Sequence, residues 1–230
     1  MIEYLGWDSQ FFNLKIGKVE ITSLSLSLFR EIFYSKEKNN YDLIYLFSNT
    51  IESDADKELK RKALFPIDKK IVFTKEVSRI DNLPENIHPF NGELNIPLLD
   101  LAFLSGHESR FKKDPRLNHK FELLYKLWIQ KSISGEMADA VFVAQAGAIT
   151  EGFVTARKKE KHGQIGLIAV APEAQGKGIG SKLMQAAEYW YWENNLKTCS
   201  VVTQLVNVGA CALYEKNNYA KESVELVFHI

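Results

Sequence analysis

Three glycines at alternate positions, Gly176, Gly178 and Gly180, constrain this chain more than any other feature. They follow the strand-like run Gln164 to Val170 and the breaker Ala171-Pro172. They precede a helical stretch whose apolar face is Leu183, Met184, Ala187, Trp190 and Tyr191. Glycine lets the backbone turn tightly and approach a ligand closely. The first N–H groups of a helix have no partner within the helix and carry partial positive charge. A strand, a glycine loop and a helix start in that order make a pyrophosphate cradle without a basic patch.

Two familiar phosphate loops are excluded. A P-loop requires glycine where Ala171 stands and Ser or Thr where Gly178 stands. A dinucleotide fingerprint requires Gly-x-Gly-x-x-Gly and an acidic residue about 20 positions later. Here Ser181 stands where the third glycine should, and the later region reads Cys199-Ser200-Val201-Val202.

The remaining pattern, Gln-x-x-Gly-x-Gly at Gln175, Gly178 and Gly180, resembles the acetyl-CoA loop of the GNAT acetyltransferases. Downstream, Asn207 opens a short helix, and Leu213-Tyr214-Glu215-Lys216-Asn217-Asn218-Tyr219 is similar to the family's Leu-Tyr-x-x-x-Gly-Phe. Asn218 replaces the usual glycine and tolerates the same left-handed turn. The match runs from roughly residue 140 to 230. It implies an α/β chain with a GNAT fold, a mixed and mostly antiparallel sheet flanked by helices, over 100–230. A smaller α/β domain is expected over 1–80 and a linker over 81–99, where Pro84, Pro89, Gly92 and Pro97 cluster.

What the resemblance implies for the site is specific. Acetyl-CoA is the co-substrate, and no metal is needed. The backbone of Ile168, Ala169 and Val170 pairs with the pantetheine arm, and an N–H near Val170 polarises the thioester carbonyl. The amides of Gln175, Gly176, Lys177, Gly178, Ile179, Gly180 and Ser181 take the pyrophosphate, with Asn207 also at the cofactor. Tyr214 protonates the leaving thiolate, since a phenol of pKa about 10 stays protonated at neutral pH.

A looser likeness covers nearly the whole chain. Trp7-Asp8-Ser9-x-Phe11-Phe12, Ser109-Arg110-Phe111, the helix ending Trp128 to Ile133 before Gly135, and Thr203-Gln204 before Asn207 resemble acetyltransferases of dTDP-linked 4-amino-4,6-dideoxy sugars. The acceptor it implies is the amine of a nucleotide sugar, with His107, Glu108, Arg110 and Phe111 as substrate residues. Trp7, Phe11, Phe12 and Trp128, taken singly, read first as core aromatics. The base is His107, Glu108 or a chain of waters. Arg110, Lys112 and Lys113 either meet a diphosphate or form a solvated face. Two other functions stay open: transfer to a protein N-terminus, polyamine or antibiotic, and a CoA-binding sensor without catalysis.

Composition sets outer limits. Of 230 residues, 46% are apolar, so a packed core is expected. Lys plus Arg and Asp plus Glu are 29 each, which gives no reason to expect nucleic acid or an anionic membrane as partner. No run approaches the roughly 18 apolar residues of a membrane span, and from Met1-Ile2-Glu3-Tyr4 no leader is expected. A cytoplasmic enzyme is expected, with a homodimer as an admissible assembly. Cys199 and Cys211 lack metal-ligand spacing and read as small apolar residues.

The remaining elements follow from periodicity. Strands are expected at Lys18–Ile21, 43–47, 71–74, 140–145, 149–158, 164–170, 198–205 and 223–230. Helices are expected at Leu24–Lys36, from Ser53 on a capping-box-like start, from Asp114-Pro115 to about Ile133, from Ser181 to Asn194, and at Gly209–Lys216.

Overall fold

A computed structural model describes residues 2–230; Met1, part of the N-terminal reading above, lies outside them. The first half contains strands β1 (Glu3–Tyr4), β2 (Ile16–Leu24), β3 (Leu43–Ile51), β4 (Asp68–Glu76) and β5 (Ile87–Pro89). Between them lie helices α1 (Gly6–Phe12), α2 (Leu26–Lys38), α3 (Ser53–Arg61), α4 (Ile96–Ser105) and the single turn α5 (Arg110–Lys113). Then follow α6 (Phe121–Ile133), β6 (Ala140–Ala146), β7 (Ile149–Lys159), β8 (His162–Val170), α7 (Ile179–Glu193), β9 (Thr198–Gln204), α8 (Val208–Lys216) and β10 (Ala220–His229).

All ten strands form one sheet in the order β1-β2-β3-β10-β4-β9-β8-β7-β6-β5. Among the described residues only β2–β3 and β8–β9 pair in parallel. The sheet is therefore mixed and mostly antiparallel, as the sequence leads one to expect. β10 pairs with β3 on one side and β4 on the other, and β4 pairs with β9. Within the expected connection 81–99, Ile87–Pro89 add an edge strand beside β6.

Register fixes which side chains share a face. Phe73 lies opposite Val201 and packs on Tyr214 of α8, with ring centroids 5.4 Å apart. On the other face, Phe47, Val227 and Asp68 lie side by side across β3, β10 and β4. Phe47 and Val227 join Phe111, Phe121 and Tyr125 in one buried cluster. α7 buries Leu183, Met184, Ala187 and Tyr191 of the face expected from its period, while Trp190 of that face is half-buried. Fully burying a side chain such as Leu183 or Met184 contributes about 1.5–3 kcal/mol.

Three local expectations are corrected. The helix does not begin at Asp114-Pro115: Asp114 ends α5, a turn and a short 3-10 segment follow, and α6 starts at Phe121. The Asp114 carboxylate instead accepts from the backbone and guanidinium of Arg116 and lies 2.5 Å from His229 Nδ1. Ser53 is not an N-cap either; Glu52 holds that place, without a side-chain hydrogen bond. α4 falls partly in the expected connection. Asn95 caps it by accepting from Leu98 N at 3.0 Å, and Pro97 sits in its first turn. An almost wholly apolar helix carries no amphipathic period to read.

Cys199 and Cys211 are buried and unpaired, and burial pushes the Cys199 thiol up to about 11. No helix among the described residues is long and apolar enough to cross a membrane.

Candidate active site

The centre of the sheet opens where β8 and β9 part. Their parallel pairing ends at Ile165 opposite Val201. β8 continues along β7 alone, and a bulge falls between Val154 and Ala156. Thr155, the bulged residue, accepts from Leu167 N through its hydroxyl at 2.8 Å. Ala171 N donates to Glu151 O at 2.8 Å. Backbone groups alternate in direction along a strand, so Leu167 and Ala171 point to β7 while Ile168 and Val170 point into the gap. The Val170 carbonyl is met there by Gln175 Nε2 at 3.1 Å. An extended ligand entering the gap can thus pair with Ile168 and Val170 as an added strand.

The gap widens into a cavity of about 610 Å³. Ile168, Ala169, Val170, Gln175, Gly176, Gly178, Ile179, Gly180, Ser181, Asn207 and Tyr214, all expected at the cofactor, line it. Lys177 does not; its ammonium lies 4.0 Å from Glu151. Gly178 is the N-cap of α7, with φ 81°, and Gly176 has φ 77°. A left-handed backbone at these positions favours glycine. Gly180 is small for a different reason: a Cβ there would lie 3.0 Å from Leu213 of α8. No side chain caps α7, and its first intrahelical hydrogen bond is from Lys182 N to Gly178 O. Gln175 N donates to Pro172 O at 3.3 Å, and the loop amides after it, from Gly176, remain free for an anion.

α8 forms the opposite wall. Asn207 caps it by accepting from Ala210 N at 3.1 Å. Asn218, at φ 64°, makes the left-handed turn that follows it. Between them Tyr214 is 2% exposed, yet it lines the cavity, and no described residue hydrogen-bonds its hydroxyl. Burial raises its pKa well above the ordinary phenol value. Asn207→Ala removes the cap, and about 1 kcal/mol of stability is expected to go with it. Chemical denaturation measures that loss; an unchanged midpoint would refute the capping role.

The cavity is also walled by Leu104 and Ser105 of α4, His107, Glu108, and Tyr125 and Trp128 of α6. Glu108 is held by Lys113 at 3.0 Å. Of the substrate residues expected from sequence, His107 and Glu108 are there; Arg110 and Phe111 do not line the cavity. Phe111 is buried in the core, stacked on Phe12 and edge-on to Trp128. Arg110 points inward, its guanidinium 4.2 Å from the Tyr45 ring and 4.6 Å from the Phe111 ring. Tyr125, Trp128 and Gln204 are wall residues to which the sequence reading gave no binding role. Trp128 and Gln204 stood in the sequence only as parts of the whole-chain likeness, and nothing there marked Tyr125.

Comparison with known proteins agrees with this geometry. The family model described as "Acetyltransferase (GNAT) family" matches residues 106–219. The dTDP-fucosamine acetyltransferase of Escherichia coli O6:H1 is 26% identical over 228 residues, covering 96% of this chain and 94% of that protein. The spore coat polysaccharide biosynthesis protein SpsD of Bacillus subtilis is 25% identical over 134 residues, 58% of this chain and 46% of that protein. Among solved structures, a conserved protein of unknown function from Staphylococcus epidermidis superposes with a TM-score of 0.63 at 14% identity, covering 93% of this chain and 82% of that one. A GCN5-related N-acetyltransferase from Sphaerobacter thermophilus gives a TM-score of 0.57 at 13% identity, covering 89% of this chain and 66% of that one. The chain carries an acetyltransferase domain of the GNAT family.

Proposed function

We propose that this protein moves the acetyl group of acetyl-CoA to the amine of a nucleotide-linked deoxyamino sugar, of the dTDP-4-amino-4,6-dideoxyhexose type. The observation that carries acetyl-CoA binding is the open backbone edge of β8 running directly into the glycine-capped start of α7. The pantetheine arm pairs with Ile168 and Val170, and the pyrophosphate sits on the free amides from Gly176 to Ser181. Gln175 releases Val170 O as the arm enters. The acceptor lies at the Tyr125–Trp128 end, where aromatic faces meet polar groups and suit a sugar.

The amine attacks the thioester carbonyl directly, a C–N bond forms and the C–S bond breaks. Holding both reactants in one cavity supplies much of the rate. Val170 N–H faces the gap and donates to the carbonyl oxygen as negative charge develops. Tyr214 donates to the departing sulfur. Burial weakens Tyr214 as an acid, but the same burial makes a thiolate in the cavity a better proton acceptor. The acceptor class rests on the whole-length likeness to dTDP-fucosamine acetyltransferase.

Release of CoA thiol across a panel tests the reading. The panel contains dTDP- and UDP-linked 4-amino-4,6-dideoxy sugars, spermidine, an amino-terminal peptide and an aminoglycoside. Turnover confined to nucleotide sugars is expected. Turnover on another amine replaces the acceptor. Acetyl-CoA binding with no turnover on any amine points to a sensor.

A further inference from the structure

Behind the acceptor end lies a buried polar cluster that the reaction as described does not use. Seven buried side-chain polar atoms have no hydrogen-bond partner among the described residues, and five belong to this cluster: Tyr45 Oη, Asp68 Oδ1, Ser109 Oγ, Arg110 Nη1 and His229 Nε2. Tyr45 joins two of them, with the Arg110 guanidinium 4.2 Å from its ring and the His229 ring 4.7 Å away, and Arg110 in turn acts on the Asp68 carboxylate. Buried polar atoms without protein partners are ordinarily satisfied by ordered water.

The cluster adjoins the cavity through two wall residues. Gln204 lies opposite Lys70 in the β4–β9 register, two residues along from Asp68 and on the same face. Its side chain is beside the Asp68 carboxylate. Tyr125, across the cavity wall on α6, has its hydroxyl beside Ser109. Asp68 is thus the diagonal neighbour of Gln204 across β4 and β9, a separation of roughly 7–8 Å between backbones that the two side chains, on one face, close.

We propose that Asp68 receives, through water held by this cluster, the proton that the acceptor ammonium must lose before it attacks. In that step an N–H bond of the ammonium breaks and an O–H bond forms on the Asp68 carboxylate, which becomes neutral. Water passes the proton without net change, and the amine keeps its electron pair for the thioester. Gln204 holds the carboxylate in position. The proposal rests on the transferase reading above but not on the identity of the amine.

The charges around Asp68 suit a carboxylate that can both ionise and take up a proton. Lys113 and Arg110 of α5 favour its ionised form, while burial, the larger effect, pushes its pKa up to about 6. Tyr125 of α6 and Gln204 of β9 face it. Beyond Arg110 stand Asp8 of α1 and Tyr45 of β3. His229 of β10 is largely neutral at pH 7, its pKa pushed down to about 4 by burial. On β4 itself Lys70 is occupied by Glu225 at 2.6 Å.

Asp68→Asn tests the proposal in two independent ways. The first needs no acceptor. A carboxyl whose pKa is raised on folding makes the protein less stable as pH climbs from the unfolded value, about 3.9, through the folded value. The melting temperature of D68N minus that of the wild type should therefore grow by several degrees between pH 4 and pH 7. A flat difference, or a variant that does not fold at pH 7, overturns the proposal. The second uses whichever amine of the panel the wild type acetylates. Wild-type kcat/KM for that amine should rise through an inflection near pH 6. D68N should lose the inflection and fall about 10- to 100-fold at pH 7, with KM for acetyl-CoA unchanged. Turnover in D68N with the wild-type pH profile overturns the role of Asp68 and leaves the transferase reading standing. A stability difference as expected with no turnover by the wild type on any amine removes the transferase reading, and the relay with it.

Discussion

Replacing Tyr214 by Phe should lower kcat about 100- to 1,000-fold and leave acetyl-CoA affinity within about twofold of the wild type. The physical basis is the isolation of its hydroxyl, which no described residue hydrogen-bonds although the ring is packed against Phe73 and Tyr219. The change keeps the packed ring and leaves no donor or acceptor unsatisfied, so the melting temperature should move little. Only the transition state, in which the sulfur gains charge, loses a partner. Turnover by stopped assay and binding by calorimetry separate these effects. A raised Kd with unchanged kcat would make Tyr214 a packing residue. Unchanged values of both would remove it from the site.

Gly178→Val should raise the Kd for acetyl-CoA at least about 30-fold, near 2 kcal/mol, and lower the melting temperature by several degrees. Two causes act at once. The φ of 81° is left-handed, where a β-branched residue is strained by roughly 1–2 kcal/mol. No atom lies within 4 Å of a Cβ built there, so steric conflict inside the protein is not the source of either effect. The side chain would instead project from the N-cap of α7, where the phosphates approach the free amides. Gly178→Asn separates the causes, because Asn tolerates the left-handed region. It should regain most of the stability and only part of the affinity. Full recovery of affinity in the Asn variant would show that strain, not access, governs binding.

The cofactor side of the site was legible because its chemistry is local. Gln175 to Ser181 carry the turn, the helix start and the phosphate amides within a few positions, so spacing alone identifies them. Tyr214 came instead from the likeness of Leu213 to Tyr219 to the family pattern, and it lines the cavity. The opposite wall was legible only in His107 and Glu108, because topology assembles the rest. Tyr125, Gln204 and Asp68 are distant in sequence and meet only after β4 pairs with β9 and α6 covers them. Arg110 misled in a further way. Its neighbours Lys112 and Lys113 suggest a solvated basic group, but α5 is a single turn that sends Arg110 inward over Tyr45 and Phe111. α4 escaped notice because its apolar residues surround the helix axis and give no period.

The insertion of β10 between β3 and β4 also dictates an order of events during synthesis. β3 and β4 leave the ribosome some 150 residues before the strand that joins them. Until Ala220–His229 emerge, the facing edges of β3 and β4 have no partner, and such edges are prone to pair with other chains. Nascent chains therefore have reason to depend on chaperones late in translation. The same geometry offers a practical handle: a fragment lacking β10 should recruit a synthetic peptide of that strand, a split system whose reassembly reports folding in cells.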